Sequence, residues 1–264
     1  MFHERKLSIP TITTHLAAIA DPLKFAFNVA PSPRSLELLK ASFFLQRPPK
    51  KKGCPSWSLK KVLELLSSEE YSSSASTEAI FKKAVFLVSL ASGFRISEMA
   101  ALMRSKTLTK FASDNSFVMI ATNPRFLAKN ERLHHRMKPT RIPALRTEED
   151  AHPLCPVSAL ANYIAAVPAQ DGDKLWIWPT SRRICSSTHL ASILCSVIRQ
   201  ADPDSAPLAH EVRGYASSIA FARSLDPFAV QEAGQWASCS TFINRYLNVE
   251  VEETQCVALG SIAI

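Results

Sequence analysis

Apolar residues recur every three to four positions through several stretches of the chain, and these stretches are divided by segments rich in Pro, Ser and Lys. In SLKKVLELLSS, Leu59, Val62, Leu63 and Leu66 form one stripe and Ser58 stands where a helix cap is needed, which predicts an amphipathic helix facing a core. TEAIFKKAVFLVSLASG, residues 77–93, is apolar on most faces and predicts a central buried helix closed by Gly93. CPVSALANYIAAV at 155–167 and THLASILCSVIRQA at 188–201 predict two more helices. Two segments carry the β-branched and aromatic content of strands, Phe117–Thr122 and Thr140–Leu145, the second losing its pairing near Pro143. LWIWP, residues 175–179, reads as a short apolar strand or a buried turn. The expected fold is mainly α with a small antiparallel β-sheet, an α+β architecture.

Ahead of these elements, residues 10–46 hold two helical patterns, TITTHLAAIA and SLELLKASFF, separated by Pro31 and Pro33. Two helices make a poor domain. The segment LQRPPKKKGCPSW reads as an extended linker, because X-Pro disfavours helix and adjacent lysines repel. The expected division is therefore a partial helical domain over 1–46, a basic linker over 47–57 and a main domain over 58–264. A chain of 264 residues can bury one full core and a small second one.

Charge narrows the partners. The formal net charge is +8, which suits a polyanion, and its distribution says more than its total. Between Arg47 and Lys61 stand six basic residues and no acid; between Ala121 and Arg146 stand seven, against Glu131 alone. Lys50, Lys51 and Lys52 form the first patch, with a solvated DNA-facing linker or an import signal as its two readings. Arg132, Arg136, Lys138 and Arg141 belong to the second, where His134 and His135 are expected in a polar loop. The six cysteines form no C-x-x-C and no zinc spacing with His, so neither a metal site nor a disulfide framework is expected. Only six glycines and no Gly-rich phosphate loop argue against a nucleotide cradle, and no cofactor is expected. The start MFHERKLSIPT has no apolar core of a leader, and no run of about eighteen apolar residues follows, so no membrane partner is expected.

The chemistry gathers in two boxes. In PLAHEVRGYASSIAFARSLDPFAVQEAGQWASCSTFINRY, residues 207–246, His210 and Arg213 are three apart and on a helix would face one anion together. Asp226-Pro227 should end that helix and start another, which Gly234 closes. Ser238 or Ser240 can cap a third segment carrying Tyr246 back toward His210 and Arg213. Upstream, LASGFRISEMAAL puts Arg95 just past Gly93, with Glu98 one turn on as structural support for an arginine. Trp236 reads as a packing residue whose indole N–H also reaches the anion; it can donate but moves no proton. Tyr215 reads as core.

The first box resembles the S-G-x-R-x-S-E-x-x-x-L pattern of the tyrosine recombinase (phage integrase) family. The second resembles that family's H-x-x-R, G-W and terminal Tyr, and together they span roughly residues 59–250. GQWASCSTFINRYL looks most like recombinases of DIRS-type and related eukaryotic mobile elements. The resemblance implies a DNA recombinase or integrase that cleaves and rejoins double-stranded DNA through a 3′-phosphotyrosine, without metal or cofactor, and self-associates as a tetramer on DNA. It implies that Tyr246 is the nucleophile, that Arg95, Arg213, His210 and Trp236 surround the phosphate, and that a hairpin lysine protonates the leaving oxygen. That lysine is Lys129, in FLAKN, with Lys138 the alternative. By the same resemblance residues 1–46 look like the end of a DNA-grasping clamp that lacks its first helices, and the chain would work in the nucleus of a eukaryotic host or otherwise in the cytoplasm. Two other classes stay open: a type IB topoisomerase, which shares the Arg/Lys/Arg/His/Tyr chemistry, and a catalytically idle DNA-binding protein derived from a mobile element.

Overall fold

The computed structural model describes residues 7–28, 32–46, 55–128, 137–146, 152–169, 174–236 and Ile243. The chain divides into two compact units, Met1–Gly53 and Cys54–Ile264. In the first, helix α1 (Ile9–Phe27) packs with α2 (Pro33–Gln46). Helix α1 runs on through Asp21-Pro22, past the end of its apolar pattern, and stops where Asn28 takes the left-handed conformation at φ 52°. Pro22 forgoes one helical N–H, but a left-handed cap residue is the stronger stop.

The second unit is built on α4 (Thr77–Ser92), as the apolar run predicts. Ser76 caps its start by accepting from the Ala79 N–H at 3.2 Å, and Gly93, at φ 59°, closes its end in a conformation a Cβ would strain. From Ala84 to Leu90 no residue of α4 reaches the surface appreciably, because helices cover it on several sides. Those are α6 (Pro156–Ala166), α7 (Ser187–Ala201) and α8 (Glu211–Ser224). Helix α3 (Leu59–Ser67) lays Leu59, Val62, Leu63 and Leu66 inward and packs on α7.

Strands β1 (Thr109–Phe111), β2 (Phe117–Ile120) and β3 (Thr140–Pro143) form one antiparallel sheet in the order β1-β2-β3. Val118 opposes Ile142 and Met119 opposes Arg141, so alternation buries Val118, Ile120 and Ile142 on the inner face. The sequence showed no sign of β1, whose TKF has too few residues for a periodic signal. The fold class is the expected one: mainly helical, with a small antiparallel sheet. Residues 175–177 are buried between two isolated β-bridges, Met103 with Lys174 and Ile177 with Ile184, and their main chain is fastened by Tyr163. The phenol accepts from the Ile177 N–H at 2.8 Å and its hydroxyl lies 2.9 Å from the Leu175 carbonyl. Among the described residues no helix is long and apolar enough to cross a membrane.

Candidate active site

The short helix α5 (Ile96–Ala100) presents the first box. Because Gly93 turns the chain out of α4, Arg95 falls at the N-cap of α5 and Glu98 at its third position. Glu98 reaches back to accept from the Arg95 main-chain N–H at 2.7 Å, the carboxylate half of a capping box. Its other oxygen takes the Arg95 guanidinium at 2.6 Å. Glu98 is 2% exposed, so these bonds form where water competes little.

Helix α8 presents the second box. His210 is its N-cap residue and Arg213 its third, and the two differ in exposure: the imidazole is exposed while Arg213 is 3% exposed. At N3 the side chain is turned toward α4. Arg213 Nη1 donates to the Gly93 carbonyl and, at 3.5 Å, to Glu98 Oε2; Nη2 donates to the Gly234 carbonyl at 2.9 Å. The guanidinium carbon lies 4.2 Å from the centroid of the Trp236 ring, a cation–π contact within a desolvated site. Glu98 thus bridges two arginines that lie 118 positions apart, and each box supplies a main-chain carbonyl that fixes Arg213. The carboxylate therefore sits between the two guanidiniums, with one oxygen toward each.

Ser224 ends α8, Leu225 takes a left-handed φ of 52°, and Asp226 caps α9 (Pro227–Ala233) by accepting from the Phe228 N–H at 2.8 Å. The expected Asp-Pro break is there. At the other end the details differ from the simple glycine stop. Gly234 has φ −81°, and the left-handed residue is Gln235 at φ 51°. Trp236 N–H bonds the Gln231 carbonyl and Gln235 N–H the Glu232 carbonyl, both at 3.0 Å, which is a Schellman closure with Gln in the usual glycine position. Glycine is needed at 234 for another reason: a Cβ there would stand 1.7 Å from the Trp236 ring.

The Gln235 side chain carries a contact with no sequence signal. Its Oε1 accepts from the Lys138 N–H and its Nε2 donates to the Lys138 carbonyl and to Thr140 Oγ1, all at 3.0 Å. The exposed Lys138, just ahead of β3, is thereby tied to the residue beside Trp236. Arg141 is exposed on β3, its guanidinium 4.3 Å above the Phe117 ring. Sequence reading also missed Trp57 and Glu211. Trp57 Nε1 donates to Glu211 at 2.9 Å, and Tyr215, half-buried rather than fully in the core, donates to the Trp57 carbonyl at 2.8 Å. These bonds fasten the segment leading into α3 to the helix carrying Arg213.

Tyr246, Lys129, Lys50, Lys51, Lys52, Arg132 and Arg136 lie outside the described residues, as do His134, His135, Ser238 and Ser240. Among the described residues no group of three or more His, Cys, Asp or Glu is assembled that could hold a metal ion. A cavity of about 500 Å³, lined in part by Tyr71, Lys83, His152 and Asn162, shares no residue with this site.

No family model and no curated protein matches the sequence. Solved structures do share its fold. The Tn1549 transposon integrase in complex with transposon right-end DNA aligns over 94% of this chain and 78% of its own, with TM-score 0.61 at 13% identity. XerA recombinase aligns over 89% of this chain and 78% of its own, with TM-score 0.52 at 15% identity. The fold is that of the tyrosine recombinases. XerH site-specific recombinase bound to its difH substrate is similar over 72% of this chain and 50% of its own, with TM-score 0.51 at 18% identity. At these identities the tyrosine recombinase likeness is one of backbone, and the chemistry rests on the side chains above.

Proposed function

We propose that the chain is a DNA breaking-and-rejoining recombinase that works through a 3′-phosphotyrosine. The observation carrying this reading is the bridge from Arg95 through Glu98 to Arg213, which joins the two sequence boxes in one desolvated cluster. Two of the similar structures hold DNA, an integrase and a site-specific recombinase, which supports duplex DNA as the partner.

In this reading the Tyr246 oxygen attacks a backbone phosphorus in line, and the tyrosine proton passes to His210. Negative charge spreads over the non-bridging oxygens as the nucleophile adds. Arg95, at the edge of the cluster with its side chain 19% exposed, donates to them, and Arg213 adds a fixed positive charge from beneath. A lysine from the stretch between β2 and β3 protonates the departing 5′ oxygen. The phosphotyrosine retains the ester's energy, so a 5′ hydroxyl from another strand can reverse the step with no external energy source. Assembly of several copies on DNA and an origin in a DIRS-like mobile element belong to the same proposal.

The burial of Arg213 favours a second reading. Held by two carbonyls and Glu98, it would serve equally in a catalytically idle DNA-binding protein. A nicked suicide substrate separates the two, because cleavage then releases a short strand and traps the enzyme. The recombinase reading expects a denaturant-stable protein–DNA adduct; binding without any adduct supports the idle protein.

A further inference from the structure

Gln235 occupies a backbone position that disfavours it. A non-glycine residue in the left-handed region gives up roughly 1 kcal/mol, and glycine is the ordinary occupant of this place in a Schellman closure. What glycine could not supply is the side-chain amide. That amide meets the Lys138 peptide as a strand neighbour would, accepting from its N–H and donating to its carbonyl, and adds a bond to the buried Thr140 hydroxyl. The bonds fall just before β3 begins its pairing with β2, where the main chain at Lys138 is in neither strand nor helix. Strain kept at one residue in exchange for a three-point clamp between separate elements points to a functional constraint. The clamp joins the approach to β3 to the residue before Trp236, whose ring lies against Arg213.

Resting on the function proposed above, we propose that Gln235 is a positioning residue for proton transfer. It holds the Lys138 main chain against the second box so that Lys138, rather than Lys129, protonates the leaving 5′ oxygen. As the bond from phosphorus to O5′ breaks, its electron pair takes a proton from the Lys138 ammonium, leaving a neutral amine and a 5′ hydroxyl. Gln235 itself touches no reacting atom. Its contribution is to fix the main chain that carries an exposed lysine, which is how a remote group gains a large rate effect from a small displacement.

A substrate whose bridging 5′ oxygen is replaced by sulfur separates this role from a structural one, because a thiolate departs without a proton. The full-length chain and its Gln235→Ala, Thr140→Val, Lys138→Ala and Lys129→Ala variants are compared for adduct formation on nicked DNA carrying either the ordinary or the sulfur-bridged ester. Gln235→Ala keeps the same backbone strain and should lose about tenfold or more on the ordinary ester while cleaving the sulfur-bridged one at near the unmodified rate. Thr140→Val, which removes one leg of the clamp, should show the same pattern more weakly. Lys138→Ala should show it most strongly, at about a hundredfold. Equal loss of both substrates in Gln235→Ala and Thr140→Val, or no loss in either, overturns the proposal, as does sulfur rescue of Lys129→Ala in place of Lys138→Ala. Absence of adduct from the unmodified chain on both substrates would instead remove the recombinase reading on which the proposal stands.

Discussion

Glu98 and Arg213, separated by 115 positions, meet at 3.5 Å in a site where each side chain is 3% exposed. The same carboxylate holds Arg95 at 2.6 Å. Removing one partner from such a cluster leaves positive charge buried without its counter-ion, so Glu98→Ala should destabilise the fold by about 3 kcal/mol or more. Denaturant unfolding measures this. A loss below about 0.5 kcal/mol, the range of an ordinary surface substitution, would mean the bridge is not formed in solution.

Arg213→Lys tests the fork geometry separately from charge. Lysine keeps the cation but cannot reach the Gly93 carbonyl, the Gly234 carbonyl and Glu98 together from one planar group. Without that three-point seating the charge shifts from its place beneath the phosphate, so covalent adduct formation should fall by about a hundredfold while DNA binding stays close to unmodified. Near-normal cleavage would show that the cation alone suffices.

Gly234→Ala should disturb the cluster through Trp236. A Cβ would stand 1.7 Å from one indole carbon and 2.2 Å from another, so the ring must leave its place against Arg213. Overpacking of this kind costs about 1–3 kcal/mol. The expected outcome is a lower thermal midpoint together with slower adduct formation; an unchanged midpoint would contradict this packing.

What the sequence disclosed here follows from how local each cause is. Gly93 after an apolar run, Ser58 before another, and Asp226-Pro227 between two helices act within a turn of themselves, and the helix ends fall where those residues stand. Strand β1 was silent because three residues show no period, and α1 overran its pattern because Asn28, not Pro22, ends it. Gly234 marked the right helix end for a reason local pattern could not supply, namely the ring of Trp236, while the left-handed turn fell on Gln235. Arg95, Glu98 and Arg213 were visible through their boxes. Their meeting depends on the packing of α8 on α4, and the Gln235–Lys138 clamp joins residues 97 positions apart; neither leaves a trace in residue spacing.

High pH should weaken the fold through Tyr163. Burial is the main cause that pushes its phenol from 10 up to about 12, the same direction and cause as at Tyr71. The folded pKa is raised, so the unfolded chain loses its proton first. The stability these phenols contribute is fully present below about pH 10 and is lost as pH rises toward about 12. Absorbance titration should show Tyr71 and Tyr163 ionising late, and Tyr163→Phe should remove one late phenol. If Tyr163→Phe leaves the late fraction unchanged, that assignment fails.

The first unit should add DNA contacts. Comparing residues 1–264 with residues 54–264 by DNA titration at several salt concentrations should reveal weaker binding and a flatter dependence in the shorter chain. The slope changes by roughly 0.9 for each phosphate no longer neutralised. Unchanged affinity and slope would show that residues 1–53 do not grip the duplex.

Covalent catalysis by Tyr246 is the step on which the recombinase reading stands. The most direct measurement is to incubate the chain with a nicked suicide duplex, digest the denatured adduct with protease and nuclease, and locate the nucleotide-bearing residue by mass spectrometry. A tyrosine recombinase should carry a 3′-linked nucleotide on Tyr246 and give no adduct as Tyr246→Phe. A nucleotide on any other residue, an adduct that persists in Tyr246→Phe, or DNA bound but never joined would contradict it.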